Sequence, residues 1–75
     1  MKTIHGFEIQ RLYKIEAGRY VVLVDRPDDG VGRYVVWLMG DDLKCSNGNY
    51  MMDRDKAIAC FNRCVEFYES MRKAA

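Results

Sequence analysis

From Ile4 to Glu16 the chain alternates. The odd positions Phe7, Ile9, Tyr13 and Ile15 are apolar around Arg11, and the even positions Glu8, Gln10, Lys14 and Glu16 are polar around Leu12. A period of two belongs to a half-buried β-strand, so this stretch predicts a first strand with a bend at Gly6. β-Branched and aromatic runs at Arg19 to Asp25 and Arg33 to Met39 predict a second and a third strand. Turn residues separate them: Gly18, Pro27-Asp28-Asp29-Gly30, Gly40-Asp41-Asp42 and Asn47-Gly48-Asn49. Glycine reaches positive φ, proline fixes φ, and Asp or Asn side chains bond the local backbone. A short fourth extended piece is predicted at Leu43 to Ser46.

After Asp53 the period changes. Ala57, Phe61, Cys64, Tyr68 and Met71 recur at spacings of three and four, with Ile58 and Val65 beside them. Arg54, Asn62, Arg63, Glu66, Ser70 and Lys73 fill the other side. This is an amphipathic helix that lays one stripe on a sheet. Asp53 is suited to cap it, because its carboxylate can accept the free amides of the first turn. Asp55 near the start and Arg72 and Lys73 near the end complement the helix dipole. The predicted fold is α+β, a single domain over residues 1–75: an antiparallel sheet of three to four strands with one C-terminal helix packed on one face, in the order β-β-β-(β)-α.

The two middle strands carry more apolar groups than one helix can cover. Their even positions, Tyr20, Val22, Val24 and Tyr34, Val36, Leu38, bear no charge. That set is assigned to the helix. The odd positions Val21, Leu23, Val35, Trp37 and Met39 then form an apolar patch of a few hundred Å², rimmed by Arg19, Arg33 and Asp25. If the faces are exchanged, the left-over set is the even one and the same reasoning holds. Two outcomes satisfy the patch. Either another chain covers it, a second copy first of all, or the first-strand region or the Cys45 to Met52 loop folds over it.

Composition narrows the function. With 75 residues, only one small domain fits, and 49% hydrophobic residues exclude a disordered tail. Twelve Lys and Arg against eleven Asp and Glu leave a net charge of +1, which gives no general attraction to nucleic acid or acidic membranes. No apolar run approaches the ~20 residues of a membrane helix. Charged residues interrupt the first fifteen positions, unlike a signal peptide, and three cysteines make an odd count. Together these predict a cytoplasmic protein with free thiols.

Candidate chemistry is sparse. Cys60 and Cys64 share a helix face, yet neither Cys45 nor His5 completes a zinc spacing, and buried cysteines commonly serve packing. His5 has no orienting partner. Asp28-Asp29 and Asp41-Asp42 lack the ligand periodicity of a calcium loop and read as turns. No catalytic residue, cofactor or metal site is therefore predicted. Arg19, Arg33 and Trp37, with Arg11 beside them, could stack on or track a nucleic acid, but aspartates crowd the strand ends.

The strand order, followed by Gly48-Asn49-Tyr50 and then Asp53 leading into Ala57, Phe61 and Glu66, resembles small β-β-β-α domains carried by phages and mobile elements of gut-type bacteria. The order is also similar to the arm-binding domain of transposon integrases and the plant ethylene-response DNA-binding domain. That second resemblance implies a DNA-binding sheet, whose basic residues this chain lacks. The expectation is a non-enzymatic protein–protein interaction domain, self-associating as a homodimer through Val21, Leu23, Val35, Trp37, Met39, Arg19 and Arg33. The alternatives are a nucleic-acid-binding module of a mobile element and a phage-encoded inhibitor of a host protein.

Overall fold

The computed structural model describes residues 3, 4, 6–27, 30, 32–42 and 44–74, with the side chains of 47, 73 and 74 outside that description. His5, Asp28, Asp29 and Leu43 therefore lie outside the described residues. The elements are β1 (Thr3–Ile4), β2 (Phe7–Glu16), β3 (Arg19–Asp25), β4 (Tyr34–Gly40), β5 (Cys45–Met51) and α1 (Arg54–Ala74). The strands form one antiparallel meander in chain order, β1-β2-β3-β4-β5. The α+β arrangement with a C-terminal helix is as predicted, but the sheet has five strands. The first predicted strand divides at Gly6, which takes φ 82°, a conformation open to glycine. The last strand is longer than predicted and runs through Asn47-Gly48-Asn49.

Local bonds close the turns. Gly18 takes φ 81° between β2 and β3. The Arg26 amide donates to the Arg33 carbonyl at 2.7 Å, sealing the base of the β3–β4 loop. Asp42 accepts the Lys44 amide at 3.1 Å, and the Gly40 amide donates to the Lys44 carbonyl at 3.1 Å. Asp53 caps α1 as its sequence position implies, accepting the amides of Asp55 at 2.8 Å and Lys56 at 3.3 Å.

Register decides which side chains share a face. Val22 stands opposite Trp37, and Leu23 opposite Val36. Even positions of β3 therefore point to the same side as odd positions of β4. The predicted all-even and all-odd faces are corrected by this count, because the loop between paired Asp25 and Tyr34 holds an even number of residues. The helix covers Val21, Leu23 and Val36 with Ala57 and Phe61.

The opposite face has its own core. Val22, Val24, Val35, Trp37 and Met39 pack with Ile4, with Phe7, Ile9, Tyr20 and Cys45 against them. A bulge in β2 makes this possible. Ile9 faces Val24 and Arg11 faces Leu23, so Gln10 is an extra residue. It sends Phe7 and Ile9 to the helix-free side, while Tyr13 and Ile15 join the helix side. The N-terminal strands thus cover the second face from within, and both clusters bury valines worth roughly 1.5–3 kcal/mol each.

Candidate interaction surface

The seven residues predicted to form one contact patch do not share a surface. Val21 and Leu23 lie beneath the helix, and Val35, Trp37 and Met39 lie in the opposite core. Val21, Leu23, Val35 and Met39 are all but sealed from solvent, and Trp37 is 9% exposed. Its indole N–H donates to the Tyr50 hydroxyl at 3.3 Å, and the rings meet edge to face. Gly48 permits that approach, since a Cβ there would sit 2.8 Å from the indole nitrogen.

The two arginines are held by intramolecular partners. Arg33 donates to both carboxylate oxygens of Asp25, at 2.8 and 3.2 Å, and lies 5.2 Å from the Tyr34 ring centre. This pairing with Asp25 raises the Arg33 pKa further. Arg19 donates to Glu16 at 2.8 Å and approaches the Tyr68 ring on the helix side, away from Trp37. An open arginine–tryptophan face is therefore not assembled.

Asp41 accepts a hydrogen bond from the Tyr20 hydroxyl at 3.1 Å, which raises the Tyr20 pKa. Burial pushes the Cys45 and Cys64 thiols above their ordinary range, and contact with Cys60 adds to the effect at Cys64. None of the three cysteines is joined in a disulfide. Among the described residues, no group of three or more His, Cys, Asp or Glu side chains is placed to hold a metal ion. No described helix is long and apolar enough to cross a membrane.

Exposed large apolar groups lie elsewhere: Leu12, Tyr50 and Met52 on or beside the outer strands, and Phe67 and Met71 along one shoulder of α1. Phe67 is 59% exposed and Met71 55%, although Met71 was predicted to join the buried stripe. At about 100° per residue, Cys60, Cys64, Phe67 and Met71 form a second stripe beside the one led by Ala57 and Phe61. The apolar arc of the helix is therefore wider than the part of it that the sheet covers. Sequence reasoning missed Phe67, and the signal available was this excess width of the arc.

Two hollows flank the stripe. One, of about 290 Å³, lies between α1 and the β4–β5 side, with Val36 and Leu38 facing Cys60, Cys64 and Phe67, and with Asn49 and Arg63 among its polar lining. The other, of about 500 Å³, is lined by Ile15 and Arg19 together with Phe67, Met71 and Arg72. Phe67 and Tyr68 line both, their rings in edge contact 5.2 Å apart, and so form the ridge between them. Arg72 donates to the Ile15 carbonyl at 3.1 Å and ties the end of the helix to β2. Exposed Arg63, Glu66 and Arg72 add charges of both signs around the stripe. No family model matches the sequence, and no curated protein or solved structure is significantly similar to it.

Proposed function

We propose that this protein acts by contact rather than by catalysis, as a small domain that binds another polypeptide chain through the exposed shoulder of α1. One observation carries the reading: Phe67 and Met71 stay more than half exposed beside two open hollows, while Val21, Leu23, Val35, Trp37 and Met39 of the middle strands are buried within the chain. A large aromatic next to a small hydrophobic depression, with mixed charges around it, has the composition of a protein contact. The site differs from the sheet patch expected from sequence, but the class of function is the same. Three cysteines outside any disulfide suit a reducing compartment, so we place the protein in the cytoplasm. The phage or mobile-element setting suggested by the Gly48-Asn49-Tyr50 pattern accords with a module that works by surface contact.

The test is the double variant Phe67→Ser/Met71→Ser, melted at low concentration. Residues that serve a contact surface can be replaced with little loss of fold, so the melting temperature should move by less than about 5 °C. A fall of 15 °C or more, of the order of ~2–4 kcal/mol for a chain this size, would put both side chains in the core and overturn the reading. Absorbance at 260 nm gives a second check. A raised signal lost in high salt would reveal bound nucleic acid and overturn the choice of a protein partner.

A further inference from the structure

We propose that Cys60 and Cys64 form a two-thiolate site for a soft monovalent metal ion, copper(I), at the hollow of about 290 Å³ beside α1. The two residues stand four apart on one helix face, where Cβ atoms lie about 5–6 Å from each other. Their thiols are in hydrogen-bonding contact, and both line the same hollow. They rest on the helix-side core, which fixes their direction, yet each is only partly buried. A metal ion therefore has an entry path to ligands that are already held together.

Ligand type and number select the ion. Thiolates are soft donors that favour copper(I), zinc and iron–sulfur clusters. Structural zinc and iron–sulfur clusters take four protein ligands, and among the described residues no further His, Cys, Asp or Glu joins this pair. Cys45 belongs to the core on the opposite side of the sheet. Copper(I), with its filled d shell, accepts two thiolates and needs no third ligand. One copper(I) and two thiols give a bis-thiolate of charge −1 and two released protons. The Arg63 guanidinium lines the same hollow and offsets that charge. Burial and the Cys60 thiol push the Cys64 pKa up, whereas Arg63 works in the opposite direction and favours the thiolate. Val36, Leu38, Phe67 and Tyr68 give the hollow apolar walls, which strengthen the attraction between ion and ligands. Copper binding here needs no partner chain at Phe67.

Anaerobic titration of the full chain with copper(I), kept reduced by ascorbate and in competition with the chromogenic chelator bicinchoninate, tests this. The chain should take up one copper(I) per monomer, and Cys45→Ser should bind equally well. Cys60→Ser and Cys64→Ser should each weaken binding by about a hundredfold or more, because the second thiolate acts at the high effective concentration of a chelate. Arg63→Glu alters an exposed helix position and should weaken binding about three- to tenfold with an unchanged circular dichroism spectrum. An equal amount of zinc(II) should leave the copper in place. Loss of copper to bicinchoninate as complete as from Cys60→Ser/Cys64→Ser, one copper shared by two chains, indifference to Arg63→Glu, or displacement by zinc(II) would each overturn the assignment. If a serine variant fails to fold, the stoichiometry of the parent chain and the response to Arg63→Glu still decide.

Discussion

Trp37 illustrates how a residue's role turns on a single hydrogen-bond register. An aromatic flanked by arginines in sequence has the look of a surface anchor. In the fold its ring closes a core, its N–H meets Tyr50, and its neighbours Val22 and Val35 are fully buried. Trp37→Ala should therefore destabilise the monomer by about 3–5 kcal/mol, the usual cost of deleting a buried aromatic. A domain of this size has about 5–15 kcal/mol in total, so a urea titration followed by circular dichroism should show a large fall in midpoint. An unchanged midpoint would mean that Trp37 is not part of the core. Tyr50 has a different burden. It is 51% exposed, yet it receives the Trp37 N–H and lies 5.0 Å under the Arg26 guanidinium. Its exposure belongs to a lid on the second core rather than to a free surface.

At the scale of elements, much was legible from sequence. Alternation located β2, β-branched runs located β3 and β4, and Asp53 fixed the start of α1. Each is a local signal, written within a few residues. The face assignment was not local. It depends on how many residues join β3 to β4 and on whether a strand carries an extra residue, neither of which changes the alternation itself. Phe7, Ile9, Tyr13 and Ile15 look like one apolar face, but the bulge at Gln10 divides them between two cores. The site was less legible still. The shoulder around Phe67 follows from the width of an apolar arc relative to the sheet below, and that width of cover exists only after folding. Deleting Gln10 removes the extra residue and leaves Ile9 opposite Val24 and Arg11 opposite Leu23, so Phe7, Ile9 and Tyr13 keep their faces. The expected result is a cooperative melt with a midpoint near that of the parent chain. Loss of cooperative unfolding would show that the bulge shapes the strand beyond its register.

At the scale of the molecule, the helix shoulder and the outer side of β5, the last strand of the meander, are very different surfaces. In β5, Asn47 and Gly48 together stand opposite the single residue Trp37, between the pairs Val36 with Asn49 and Leu38 with Ser46. This bulge kinks the strand, so its outward amides and carbonyls do not form the even ladder that an incoming strand needs. The consequence concerns what happens when the protein is crowded. A straight outer strand would let sheets add to one another without limit, whereas a kinked one offers an incoming strand no continuous row of partners. The bulge thus acts as a guard on the molecule's own polymerisation. Removing Asn47 should straighten the edge and convert a clear solution into one that forms thioflavin-binding fibrils on agitation, while the parent chain stays clear.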